Sequence, residues 1–148
     1  MGKTARDFFS LEEQEEIKTA IMNAELDTSG EIRVHIENTI SGDVLDRAAY
    51  IFKQLKMNET ELRNGVLIYL ALKNRRFAII GDKGLHAVVP ENFWDKIKAK
   101  MLDSFREGNF TDGLCFGINS AGEQLKKHFP RQKNDVNELS DEISFGDK

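Results

Sequence analysis

Apolar positions along this chain switch between helical and strand spacing, and the switches mark its elements. Ile17, Ala20, Ile21 and Ala24 fall at i, i+3, i+4 and i+7, one stripe of a helix. Ser10-Leu11-Glu12-Glu13 ahead of them forms a capping box, in which serine and Glu13 satisfy each other's backbone N–H groups. Asp27-Thr28-Ser29-Gly30 breaks that helix. Ile32, Val34 and Ile36 then alternate with Arg33, His35 and Glu37, so a strand follows with one apolar and one polar face. That alternation predicts an edge strand, or one covered by an amphipathic helix. A second helix begins at Ser41-Gly42-Asp43, with Val44, Leu45, Ala48, Ala49, Ile51, Phe52 and Leu55 inward, and Asn58-Glu59-Thr60 connects it onward. Residues 65–72 are nearly continuous apolar sequence, as in a central strand covered on both faces. Lys73-Asn74-Arg75 reads as a hairpin turn with Asn74 suited to the left-handed conformation, leading into an antiparallel strand over 76–80. Pro90 opens a third helix carrying Phe93, Trp94, Ile97, Met101, Leu102 and Phe105. A fourth runs over 112–127 and stops before Pro130.

Helix, strand, helix, strand, strand, helix, helix predicts a three-layer α/β/α sandwich, a small mixed β-sheet flanked by about four helices. A right-handed crossover makes the first two strands parallel. At 148 residues the expectation is one α/β domain over 1–130. A polar tail over 131–148 follows, with Val136, Leu139, Ile143 and Phe145 as short apolar anchors or as part of a disordered end.

Charge narrows the function classes. The formal net charge of -4 gives no basic stripe for displacing counterions from nucleic acid, and it is compatible with a bound cation. No apolar run is long enough for a bilayer span. Met1-Gly2-Lys3-Thr4-Ala5-Arg6 has neither a signal-peptide core nor the Ser or Thr that myristoylation wants at position 6. A cytoplasmic monomer is expected. Cys115, the single cysteine, lies between Leu114 and Phe116 and reads as a small buried thiol. No Cys/His spacing suits zinc. His86 and His128 have no carboxylate or nucleophile partner in sequence and read as structural or solvated.

Topology concentrates the remaining polar residues. With strands one and two parallel and strand three returning, Thr28, Ser29, Glu31, Asn64 and Asp82 share one sheet edge. Two carboxylates and an amide carbonyl among hydroxyls are hard oxygen ligands suited to calcium or magnesium, so Glu31, Asn64 and Asp82 are the candidate metal site. The competing structural roles are a turn cap for Asp82, an ion pair of Glu31 with Lys83 or Arg63, and a bend held by Asn64. The opposite edge gathers His35 or Glu37 with Lys73, Asn74, Arg75 and Arg76, which is either an anion site or a solvated turn. No nucleotide-binding glycine fingerprint is present. No residue is identified as catalytic.

Ser29-Gly30-Glu31-Ile32-Arg33-Val34, Arg63-Asn64-Gly65-Val66-Leu67-Ile68-Tyr69-Leu70 and Arg76-Phe77-Ala78-Ile79-Ile80-Gly81-Asp82-Lys83-Gly84 resemble the TPM domain family. So does Phe105-Arg106-Glu107-Gly108-Asn109-Phe110-Thr111-Asp112-Gly113-Leu114, and the likeness covers about 8–130. The segment 135–146 resembles the tail of a soluble bacterial branch of that family, whose relatives include a thylakoid-lumen protein of photosystem II repair. The resemblance implies an α/β/α sandwich, divalent-cation binding, chiefly calcium, and a weak acid-phosphatase activity attributed to some members. Arg63 stands where many members carry Asp. That change weakens a cation site there and favours phosphate. The expected function is calcium or magnesium binding. The rival readings are a weak metal-dependent acid phosphatase and a protein-interaction adaptor using the tail's apolar anchors on a protein partner.

Overall fold

The structure is a computed structural model and describes residues 4–90, 92–131 and 140–146. The elements run α1 (Ala5–Phe8), α2 (Leu11–Glu25), β1 (Glu31–Glu37), α3 (Val44–Gln54), β2 (Gly65–Ala71), β3 (Arg76–Gly81), α4 (Lys83–His86), α5 (Asp95–Arg106), α6 (Phe110–His128) and β4 (Ser144–Phe145), with a 3₁₀ turn at Met57–Glu59. The capping box forms as the sequence predicts, Ser10 accepting from Glu13 N–H and Glu13 from Ser10 N–H, each at 3.0 Å. Four strands make one mixed sheet in the order β3-β2-β1-β4. β1 runs parallel to β2, with Glu31 opposite Gly65, and β3 returns antiparallel, with Gly81 opposite Val66.

Strand periodicity divides the core. Ile32, Val34 and Ile36 of β1 and Val66, Ile68 and Leu70 of β2 face Ile17, Ile21, Met101, Phe105, Leu114, Ile118 and Leu125 of α2, α5 and α6. Leu67, Tyr69 and Ala71 face Ala48, Ile51 and Phe52 of α3, with Met57 beside them. The three-layer α/β/α expectation therefore holds. Leu45, expected inward, is exposed on α3. Asp82 caps the short α4, and α5 begins at Asp95 rather than at Pro90.

β1 is not an edge strand. Ser144 and Phe145 pair in parallel with His35 and Ile36, and Gly146 N–H donates to the Ile36 carbonyl at 2.9 Å. Arg6 stacks over the Phe145 ring at 4.7 Å, and Lys18 pairs with Glu142 at 2.7 Å. Two of the expected tail anchors, Ile143 and Phe145, thus pack on the chain's own core. The other two, Val136 and Leu139, and the start at Met1-Gly2-Lys3, lie outside the described residues. No helix among the described residues is long and apolar enough to cross a membrane.

The left-handed position of the β2–β3 turn is Arg75, at φ 50°, not Asn74. Asn74 instead uses its side-chain oxygen to accept from Ile40 N–H at 2.9 Å, which ties the turn to the β1–α3 loop. Lys56 is also left-handed, at φ 58°, and its side chain is exposed. Relief of the Cβ–carbonyl crowding outweighs the extra chain entropy of glycine at such a site. Lys56→Gly is therefore expected to stabilise the protein by about 0.5 kcal/mol, read as a higher urea midpoint.

Candidate functional site

The edge where β1 and β2 begin is built by short-range capping and one long-range seam. Asp27-Thr28-Ser29 leaves α2 and meets the end of α6. Ser29 N–H donates to the Phe129 carbonyl at 2.9 Å, the Thr28 hydroxyl donates to the same oxygen, and Gly30 N–H donates to Thr28 Oγ1 at 3.0 Å. Asn64 donates to Ser29 Oγ at 3.4 Å, joining the two strand starts. Asp82 arrives at the same edge, its N–H on the Gly65 carbonyl at 2.9 Å. All three predicted ligands are buried there, Glu31, Asn64 and Asp82 alike.

Their side chains are not equivalent. Asp82 is held in a two-pronged ion pair by Arg63, with Nε to Oδ2 at 2.6 Å and Nη2 to Oδ1 at 2.9 Å, and Oδ1 also accepts from Lys83 N–H at 2.8 Å. Charge-assisted bonds of this geometry are strong. Asp82 is thus both the cap of α4 and the anchor of the left-handed Arg63, at φ 53°. Gly84 fits beneath this bend because a Cβ there would lie 2.1 Å from the Leu62 carbonyl oxygen.

A second pair of carboxyls stands beside Glu31. Glu25, at the last turn of α2, is buried and accepts from Ile32 N–H at 2.8 Å. Burial pushes its carboxyl up to about 9, and a hydrogen bond to Asp141 together with the charges of Asp141 and Glu31 pushes the same way, against the Ile32 N–H. Glu25 is therefore protonated at neutral pH and hydrogen-bonded to Asp141. The sequence signal was present: Glu25 lies four residues after Ile21, on the edge of the buried stripe.

The other end of β1 holds a buried polar network centred on Glu37. Glu37 accepts from Arg47 Nε at 3.1 Å and Nη2 at 2.5 Å, from the Tyr69 hydroxyl at 2.5 Å and from His35 Nε2 at 3.1 Å. His35 Nδ1 in turn accepts from Ser144 Oγ at 2.7 Å, and its ring stacks on Tyr69 with centroids 5.9 Å apart. Burial alone would raise the Glu37 carboxyl, but the bonds from Arg47, Tyr69 and His35 outweigh it and hold it down at about 2. Burial lowers His35, against its bond to Glu37, so the ring stays neutral near pH 7. Burial and Glu37 raise Tyr69, which remains a phenol. Glu37 and His35 were read as the polar end of an edge. They are instead sealed beneath β4, where a Cβ on Gly146 would lie 2.4 Å from Glu37 Cγ.

Glu25 offers a held proton, whereas Asp82 and Glu37 act as anchors for Arg63 and Arg47. Cys115 packs against the helical core, and burial pushes its thiol up to about 11, so it is protonated and unreactive at neutral pH. Among the described residues, no group of three or more His, Cys, Asp or Glu side chains is arranged to hold a metal ion.

A family model described as the TPM domain matches residues 3–124. The chain belongs to the TPM domain family. This TPM domain is similar throughout to the BA42 protein of the psychrophilic bacterium Bizionia argentinensis, solved by NMR. The two are 49% identical with a TM-score of 0.88, over 94% of this chain and 96% of that one. The N-terminal domain of a P. gingivalis protein shares the fold at 22% identity and a TM-score of 0.68, covering 82% of this chain and 78% of that one. The N-terminal domain of the cg2496 protein from Corynebacterium glutamicum does so at 13% and 0.65, covering 87% and 80%. No curated protein matches the chain.

Proposed function

We propose that this TPM domain binds a divalent cation, magnesium or calcium, at the edge where β1 begins, between the carboxyls of Glu25 and Asp141. The observation that supports the reading is the proton that Glu25 holds up to about 9 beside Asp141. The buried Glu25 carboxyl ionises beside a second acid only with a positive partner at hand, and a divalent ion is the alternative to its proton. The donors are hard oxygens, which fits these metals. Two carboxylates completed by water is a usual arrangement for magnesium. Glu31 adds negative charge beside the pair, and Asn64 stays within the same edge. Asp82 serves as the Arg63 anchor, so it is a structural neighbour of the ion rather than its ligand. The phosphatase reading gains no nucleophile from Cys115, and two of the adaptor's apolar anchors, Ile143 and Phe145, are used on the chain's own core.

Calorimetric titration with magnesium or calcium, repeated in two buffers of different ionisation heat, tests this. About one proton is expected to leave per ion bound, and affinity is expected to rise about tenfold per pH unit between pH 6 and 8. Glu25→Gln is expected to abolish the proton release and weaken binding. Binding without proton release moves the ion away from Glu25. No binding at millimolar metal removes the function.

A further inference from the structure

The carboxyl ends of the parallel strands β1 and β2 open on a cavity of about 430 Å³. It lies at the opposite end of the sheet from the proposed cation edge and does not depend on it. Asn38 and Leu72, the residues that follow β1 and β2, line its inner side, with Phe8 and Phe110 as apolar walls and Lys73 and Arg75 on the rim. Several hundred Å³ suits a small organic molecule.

Three features give the cavity a definite chemistry. Its walls are aromatic and fixed. Phe8 and Phe110 meet edge to face at 5.5 Å, and Phe110 stacks on Phe105 at 5.6 Å. Phe8 nonetheless leaves 47% of its surface uncovered, a large exposure for a phenylalanine seated in an aromatic cluster. Its described charged residues are cations. The nearby acids Glu13 and Asp112 line a separate cleft that shares only Phe8 and Phe110 with this one. The rim is also held in place. Asn74 ties the turn to Ile40 N–H at 2.9 Å, and Arg75 spends one N–H on the Arg106 carbonyl at 3.1 Å, one of the five a guanidinium carries.

We infer that this cavity binds a small amphipathic anion, a molecule with an apolar aliphatic or aromatic body and one carboxylate head. The body lies between Phe8, Phe110 and Leu72, and the head meets Lys73 and the Arg75 fork. Arg75 in its left-handed turn is therefore a ligand-positioning residue as well as a turn former.

Octanoate is the test ligand and 1-octanol its uncharged counterpart, each followed by amide chemical shifts on the full chain. Octanoate is expected to give saturable shifts centred on Asn38, Lys73 and Phe110, with a dissociation constant of about 1 mM or below. Octanol is expected to bind at least about tenfold more weakly, the cost of losing one charge-assisted contact. Both side chains chosen for substitution are exposed, so the fold is retained. Lys73→Glu is expected to weaken octanoate about tenfold and leave octanol unchanged, whereas Phe8→Ser weakens both. Equal affinity for octanoate and octanol overturns the inference, as do saturable shifts confined to other surfaces or no saturation by about 10 mM.

Discussion

Glu37→Ala is expected to destabilise the fold by about 3–5 kcal/mol, read from urea unfolding at pH 7, the usual cost of breaking a buried charged pair. The truncation removes the single acceptor of four donors. Arg47 Nε and Nη2, the Tyr69 hydroxyl and His35 Nε2 all converge on one carboxylate whose side chain is 2% exposed. Water reaches the vacated space poorly because Gly146 lies directly over it. Glu37 also sets the acid limit. Its folded carboxyl sits at about 2, against an unfolded value of 4.5. Its contribution is full above about pH 4.5 and is lost as the pH falls through about 2, roughly 3 kcal/mol in all. His35 acts in the same direction. Its lowered folded value means that the unfolded chain takes up a proton first as the pH drops below 6.5, which favours unfolding. The alanine variant is expected to show a flatter acid limb than the parent. A midpoint loss below about 1 kcal/mol, with an unchanged acid limb, would show the network to be dispensable.

Glu25→Gln is expected to act in the opposite sense and to stabilise the metal-free protein on the order of 3 kcal/mol at pH 8. Glu25 is raised from 4.5 to about 9 in the fold, so the folded state binds the extra proton across that window. Stability is fully present below about pH 4.5 and drains away as the pH climbs towards 9. Glutamine copies the protonated carboxyl. It donates to Asp141 and accepts from Ile32 N–H, yet it has no charge to develop. The parent and the variant are expected to unfold alike near pH 5 and to diverge steadily above it. Saturating magnesium or calcium at pH 8 is expected to close the gap by stabilising only the parent. Parallel curves from pH 5 to 9 would show that Glu25 titrates as an ordinary surface acid.

These two residues mark where the sequence became hard to read. The three longer strands, the capping box and the parallel-then-antiparallel order follow from local spacing, and local spacing also brings Glu31, Asn64 and Asp82 to one edge. Period two in Arg33, His35 and Glu37 says only that a polar face exists. It looks the same whether that face meets water or a buried arginine, tyrosine and serine. β4 has two residues, Ser144 and Phe145, and no period of its own. Its place is set by β1, and the Ser144–His35 bond spans 109 positions. Asp82 was legible by position but not by role, because Arg63 is placed against it by a left-handed backbone that spacing does not reveal. Arg75 took the turn's left-handed position because Asn74 was more useful as a side-chain acceptor for the neighbouring loop.

The late arrival of β4 in the chain has a consequence during synthesis. On the ribosome, β1, α3 and β2 emerge early and are able to pair, while the strand that completes the sheet is still inside the exit tunnel. Until residues 144–146 are free, the nascent domain carries an open strand edge with the Glu37–Arg47 ion pair behind it, a surface to which a chaperone or a neighbouring nascent chain can add its own strand. Emergence of that segment is what closes the sheet, so the pace of elongation between β1 and β4 sets how long the edge stays exposed.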